Sequence, residues 1–146
     1  MTGFDKVRVE RLVSAMREAV RLLLELRSTK KESFFEDEHL QSSAKYNFIT
    51  AIEAAIDTAN HIIATRALRS PRDYADAFKV LAESGVVDPE FAEELQKMAR
   101  FRNRLVHLYW DVSLEEIWKL LQSRLGDFET YVHFVVKYLD SLDAPD

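Results

Sequence analysis

Residues 97–110, KMARFRNRLVHLYW, bring together the side chains of this sequence that are best suited to chemistry on an anion. The segment holds four basic residues and no acidic one, although the formal net charge of the 146-residue chain is −5. Its basic residues are Lys97, Arg100, Arg102 and Arg104. A guanidinium binds anionic oxygens whatever the physiological pH, and an imidazole such as that of His107 exchanges protons near neutrality. An anion should therefore be attracted to this segment and repelled by the rest of the chain.

Arg102 stands where the apolar pattern of the segment predicts a hydrophobic side chain. Positions 91, 95, 98, 102, 105 and 109 recur at the spacing of one helix face. An arginine is rarely buried without a partner. Three interpretations are open: a cation that interacts with the helix dipole, an ion pair with one of the glutamates, or a functional group in a cleft.

The helical spacing also relates Arg102 to its polar neighbours. Asn103 lies one turn before His107 and can contact it, and Tyr109 falls within roughly 20° of Arg102. His107 is roughly 140° around the helix from Arg102. The two can act on one group only if the helix loosens near its end or a second subunit supplies half of the site. We favour the second arrangement, a homodimer, because polar groups that interrupt an apolar stripe suit a cleft between subunits.

The elements that must position these residues are all predicted to be helices. Apolar residues recur at helical spacing along most of the chain, and no alternating run is long enough for a sheet. The stripe of the first helix contains Val9, Leu12, Met16, Ala19, Leu23 and Leu26, and that of the second contains Ile49, Ile52, Ile56, Ala59 and Ile63. We predict an all-α fold, an up-and-down four-helix bundle with an additional short helix, in a single domain spanning residues 1–146.

Prolines and a glycine mark the boundaries of two of these helices. Ser70-Pro71 and Asp88-Pro89 each place a capping side chain before a proline, which suits the first turn of a helix. They predict a short helix over about residues 72–83, closed by Gly85, and a long one from Pro89 toward His107.

Two further boundaries follow from capping residues. The second long helix is predicted to begin near Phe35 or Glu36. Ser113 and Glu116 form a capping box that opens the last helical stretch, with a kink expected near Gly126.

Composition excludes several classes of protein. The chain has no cysteine, so disulfide bonds, thiolate metal sites and a cysteine nucleophile are excluded. The N-terminus lacks the apolar run of a signal peptide, and no segment approaches the roughly 20 apolar residues of a membrane helix. We expect a cytoplasmic protein with no membrane association.

Neither a metal site nor a cofactor is expected. A di-metal site in a bundle needs two Glu-x-x-His motifs with two further glutamates, and the sequence has one such motif. Three pairs, one of which is that motif, have helical spacings that could hold a metal ion. The pairs considered are Asp57 with His61, Glu129 with His133, and Glu36 with His39. We interpret His61 as a core histidine bonded to the backbone, and Trp110 and Trp118 as packing residues.

The stretch from Arg102 to Tyr109, RNRLVHLY, matches the R-x4-H-x-Y motif of the HepT-like toxins, members of the HEPN superfamily. The resemblance extends to AIEAAIDTANHIIA, SPRDYADAFKVLAESGVV and PEFAEELQKMARFRNRLVH. It implies a helical-bundle ribonuclease that works without a metal, usually as a homodimer whose motifs face a shared cleft. It also implies a partner, a small MNT-type nucleotidyltransferase antitoxin that adds AMP to the motif tyrosine, here Tyr109.

Catalytic roles follow from this resemblance. RNA cleavage without a metal requires attack by the neighbouring 2′-hydroxyl on the phosphate, and His107 would transfer protons in that step. Arg102 would bind the non-bridging oxygens as negative charge develops, and Asn103 would orient the imidazole or donate to the phosphate.

The other residues of the segment have binding roles. Lys97, Arg100 and Arg104 are predicted to guide the RNA phosphates, although each could equally be a solvated surface charge. AMP on Tyr109 would add bulk and negative charge where RNA enters.

Two alternatives use the same residues without cleavage. The first is a non-catalytic helical module that binds a nucleotide or serves as the partner of a nucleotidyltransferase. The second is a structural bundle that only dimerises, in which Arg102 forms a salt bridge.

Overall fold

The computed structural model describes residues 5–143, which form seven α-helices and one 3₁₀ turn and contain no β-strand. The helices are α1 (Lys6–Arg27), α2 (Lys31–Glu36), α3 (Glu38–Thr65), α4 (Tyr74–Glu83), α5 (Pro89–His107), α6 (Leu114–Ser123) and α7 (Gly126–Asp143), and the 3₁₀ turn is Tyr109–Asp111. Helices α1, α3, α5 and α7 are the four long ones. The predicted all-α bundle is confirmed, although it contains three short helices rather than one.

Two of the predicted boundaries differ from those observed. Phe35 and Glu36 belong to the short helix α2, and α3 begins at Glu38 because the Asp37 side chain accepts hydrogen bonds from the next backbone N–H groups, at 2.8 Å from His39. The kink expected at Gly126 is a complete break, since α6 ends at Ser123 and α7 begins at Gly126.

The boundaries around α4 and α5 agree with the sequence except in their capping groups. Helix α4 is capped by Asp73, whose carboxylate accepts from the N–H of Asp76 at 2.7 Å, rather than by Ser70. Pro89 is the first residue of α5 as predicted, but the Asp88 side chain makes no capping hydrogen bond. Gly85 closes α4 with a φ of 77°.

Helix α3 lies at the centre of the bundle and packs against α1, α4 and α5, among other elements. Its buried face is rich in alanine, which allows neighbouring helices to approach closely. The buried alanines of this helix are Ala44, Ala51, Ala54, Ala55 and Ala59. Because α5 packs against both α3 and α4, its side chains meet residues that are distant in the sequence. None of the helices in the described part of the chain is long and apolar enough to cross a membrane.

Candidate active site

Arg102 lies on the inner side of α5, with only 13% of its side chain exposed. Its Nη2 and Nε atoms both donate to Oε1 of Glu53 on α3, at 2.7 and 3.2 Å. Its Nη1 atom donates to Oδ1 of Asn103 at 3.0 Å. The guanidinium carbon lies 5.1 Å from the centre of the Tyr74 ring, at the start of α4. The inward position expected for Arg102 is confirmed, and so is an ion pair with a glutamate.

These contacts leave part of the guanidinium available. A guanidinium has five N–H donors, and hydrogen bonds to Glu53 and Asn103 use three of them. The planar group is therefore fixed at one edge and across one face, while two N–H groups make no hydrogen bond within residues 5–143. A phosphate has the geometry to accept from such donors.

Glu53 and Tyr74 were not predicted as site residues. One signal was present in the sequence, because Glu53 is the only charged residue in the apolar stretch 47–56 of α3. Asp57 follows one turn later, and burial raises the pKa of its carboxyl, with a further increase from the charge of Glu53. The Arg102 guanidinium opposes that increase in the pKa of Asp57. This side of α3 is thus an acidic surface that faces the motif arginine.

His107 is the last residue of α5, and its side chain is exposed. The backbone N–H of Leu108 donates to the carbonyl of Arg104 at 2.8 Å and closes the last turn. Helix α5 therefore stays regular from Arg102 to His107, and the two side chains leave it in directions roughly 140° apart. The loosened helix considered above is not observed. Asn103 lies one turn before His107 and contacts Arg102.

Tyr109 does not continue the line of Arg102 along the helix, so that expectation was wrong. Leu108 leaves the helix with φ −131° and ψ 45°, and Tyr109 is the first residue of the 3₁₀ turn Tyr109–Asp111. Tyr109 is 65% exposed. The residue therefore lies open to solvent rather than enclosed by the bundle.

The two tryptophans differ in their environments. Trp118 packs against Phe34, with ring centroids 5.3 Å apart, as expected of a packing residue. Trp110 is 71% exposed, so its interpretation as a packing residue was wrong. Its ring contacts Tyr109 edge to face at a centroid distance of 5.3 Å.

The basic residues around the motif are only partly free. Arg104 forms a two-pronged ion pair with Glu116, at 2.6 and 2.9 Å. Lys97 lies 3.2 Å from Glu94, and Arg100 forms no ion pair with any described residue.

The predicted capping box at the start of α6 is half formed. Ser113 accepts a hydrogen bond from the N–H of Glu116, but the Glu116 carboxylate binds Arg104 instead of returning to the backbone of Ser113.

A groove of about 780 Å³ opens between α5 and α6 beside the basic segment. Its floor includes Phe48 and Phe101, and its rim includes Arg100. Arg102 and His107 do not line this groove. The side chains of Arg102 and His107 thus lie on a different part of the α5 surface from the groove.

His61 has the backbone partner that the sequence suggested. Its Nε2 atom accepts a hydrogen bond from the N–H of Asp5 at 2.9 Å, and burial lowers its pKa. Within residues 5–143, no group of three or more histidine, aspartate or glutamate side chains is arranged to hold a metal ion.

The fold and the motif define a class of α-helical proteins in which an R-x4-H-x-Y sequence ends a long helix of the bundle. A family model described as "Ribonuclease HepT-like" matches residues 16–135. The chain belongs to this family.

Similar proteins with assigned activities support this assignment. The chain is 33% identical to the mRNA nuclease HepT of Shewanella oneidensis over 70% of its own length and 77% of that protein. It is 31% identical to the tRNA nuclease HepT of Aphanizomenon flos-aquae over 62% of each chain. The fold also resembles the solved structure of the tri-AMPylated Shewanella oneidensis HEPN toxin in complex with its MNT antitoxin, with a TM-score of 0.83 and 26% identity over 89% of this chain and 97% of that one.

Proposed function

We propose that this protein is the toxin of a HEPN/MNT toxin–antitoxin pair and cleaves RNA in the cytoplasm without a metal ion. The observation that carries the proposal is the guanidinium of Arg102, which is fixed by Glu53 and Asn103 and still has two N–H groups available. His107 follows on the same helix with an exposed imidazole. The nuclease activities of the similar HepT proteins support the assignment.

The proposed reaction is an internal transfer at phosphorus. The 2′-oxygen forms a bond to phosphorus while the bond from phosphorus to the 5′-oxygen breaks, which gives a 2′,3′-cyclic phosphate and a free 5′-hydroxyl. The proton leaves the 2′-hydroxyl and a proton reaches the 5′-oxygen, and His107 carries out one of these transfers. Arg102 binds the non-bridging oxygens as their charge increases.

Asn103 has a more defined role than the sequence suggested. Its side-chain oxygen accepts from Arg102, so it helps to fix the guanidinium. Its amide N–H groups are then directed away from Arg102 and can donate to the imidazole of His107 or to the phosphate.

Two protomers form each site in this proposal. The regular helix between Arg102 and His107 directs the two side chains apart, which supports a homodimer in which Arg102 of one copy and His107 of the other meet at one phosphate. Lys97, Arg100 and Arg104 are proposed to guide the RNA, with Arg100 the most available because it has no ion pair within the described residues.

Tyr109 is the proposed acceptor of AMP from the MNT-type antitoxin. Tyr109 is an exposed residue, which a partner enzyme could reach. The added group would place a negative phosphate and an adenosine two residues from His107, where they would repel and obstruct RNA. The similar HEPN toxin that was solved with its MNT antitoxin is itself AMPylated, which supports this role.

Cleavage in excess EDTA tests the proposed function. The parent protein should release products with a 2′,3′-cyclic phosphate, and the His107→Ala variant should lose at least about a hundredfold in rate, as expected for a general acid or base. His133→Ala removes another exposed histidine, on α7, and should leave the rate unchanged. Equal cleavage by the parent and His107→Ala, with the fold and the dimer content intact, would contradict the proposal.

A second candidate is the non-catalytic module. The two available N–H groups of Arg102 favour it, because they could bind a nucleotide phosphate without any bond being broken. Binding of ATP or RNA in EDTA without any cyclic-phosphate product would support this alternative.

A further inference from the structure

We propose that Trp110, braced by Tyr109, is a platform on which an RNA base stacks next to the cleaved phosphodiester. The inference rests on the proposed nuclease function and adds a substrate-positioning residue to it. Trp110 is 71% exposed and Tyr109 is 65% exposed, and the two rings touch each other. The core of the bundle needs neither ring, so their exposure calls for another explanation.

The backbone that carries these rings is firmly held. The N–H of Asp111 donates to the carbonyl of Leu108 at 2.8 Å, and the next residue, Val112, is buried. Arg104 donates to the carbonyl of Asp111 at 3.2 Å while Glu116 holds the same guanidinium. A ring on a fixed turn loses little freedom when a ligand stacks on it, so less binding energy is spent on ordering.

Trp110, Tyr109, Val106 and Leu108 form an exposed patch, and its composition favours a planar ligand. The aliphatic neighbours Val106 and Leu108 are only 37% and 43% exposed, so the most open part of the patch is aromatic. Every nucleobase has a face that stacks on such a ring, whatever the sequence.

The position of the patch matches the proposed chemistry. Trp110 follows His107 by three residues, across the end of α5. A base held on Trp110 would place a neighbouring phosphate within reach of the imidazole. The carboxylate of Asp111 lies 3.4 Å from Arg104, which offsets the only negative charge in the turn.

Fluorescence measures this stacking directly. The chain has two tryptophans, so Trp118→Phe leaves Trp110 as the single reporter without altering the patch. Titration with a mixed-sequence 2′-O-methyl RNA, which cannot be cleaved through its 2′-oxygen, should quench the Trp110 emission. Trp110→Ala should raise the Kd for this RNA about tenfold or more, whereas Trp110→Phe should retain most of the affinity.

The outcomes separate this inference from the nuclease proposal. If the parent cleaves RNA and Trp110→Ala binds the 2′-O-methyl RNA as tightly as the parent does, stacking is refuted and the nuclease remains. Trp110→Ala could instead keep its RNA affinity but become monomeric, or no longer be AMPylated by the antitoxin. Either result would assign the patch to a protein partner and also refute stacking. If the parent neither binds nor cleaves RNA, both proposals fail. Thermal unfolding of Trp110→Ala and Trp110→Phe verifies that each variant is folded.

Discussion

Glu53 and Tyr74 determine the position of the Arg102 guanidinium. Glu53 binds one edge of the group through a single carboxylate oxygen, and the Tyr74 ring lies 5.1 Å from its centre. The motif arginine is thus oriented by two residues that belong to other helices. In a phosphate-binding site such orientation matters, because a misplacement of about 1 Å can lower a rate by roughly a hundredfold.

We predict that Glu53→Ala lowers kcat for RNA cleavage about tenfold or more while KM changes little, because Arg102 loses its orientation rather than its charge. Glu53→Gln keeps an acceptor oxygen and should recover part of the rate. Glu93→Gln, at an exposed position on α5, is the matched control. Steady-state kinetics would show the opposite, a faster Glu53→Ala enzyme, if Glu53 instead competed with the phosphate for Arg102.

At the level of helices, the two described glycines differ in backbone conformation, and measurements of unfolding free energy can detect this difference. Gly85 has a φ of 77°, whereas Gly126 begins α7 without a positive φ, and a Cβ atom at either position would meet no atom within 4 Å. Only backbone conformation distinguishes the two sites.

Gly85→Ala should therefore reduce the free energy of unfolding by about 1 kcal/mol, from the cost of a left-handed conformation. Gly126→Ala should leave it unchanged or raise it by up to about 1 kcal/mol, because alanine restricts the unfolded chain. Urea denaturation of both variants measures these changes. A loss of stability in Gly126→Ala equal to that in Gly85→Ala would rule out the backbone explanation.

A hydrogen bond whose formation depends on pH joins the start of α1 to α3. The imidazole of His61 must be neutral to accept from the N–H of Asp5, and burial lowers its pKa below the ordinary value of 6.5. The folded state therefore binds fewer protons at His61 than the unfolded state does. The stabilisation from this hydrogen bond is complete above pH 6.5 and decreases as the pH falls through the lowered pKa of His61.

We predict that the difference in unfolding free energy between the parent and His61→Gln is larger at about pH 8 than at about pH 5. Denaturation curves at the two pH values test this. A difference that stays constant, or grows on acidification, would show that the neutral imidazole is not what joins the helices.

The sequence predicted the helices better than it predicted the partners of the motif. Pro89 and the basic end of α5 define that helix locally, so its limits followed from neighbouring residues. Glu53 is 49 positions from Arg102, and only the packing of α5 on α3 selects it from the other acidic residues. The turn that takes Tyr109 off the line of Arg102 was missed, because the conformation of Leu108 depends on the turn that Arg104 holds.

For the whole molecule, the central question is how two side chains that leave one helix in different directions can meet at one phosphodiester. A single chain holds Arg102 against α3 and α4 and leaves His107 in solvent. In the proposed symmetric dimer, the arginine of each copy would meet the histidine of the other, and two equivalent sites would form.

A purified heterodimer of one Arg102→Ala chain and one His107→Ala chain tests this claim most directly. One of its two sites would combine an intact arginine with an intact histidine, so the heterodimer should recover about half of the parent cleavage rate. Both mutant homodimers should be inactive. A heterodimer that forms but is as inactive as the two homodimers would contradict a site shared between protomers.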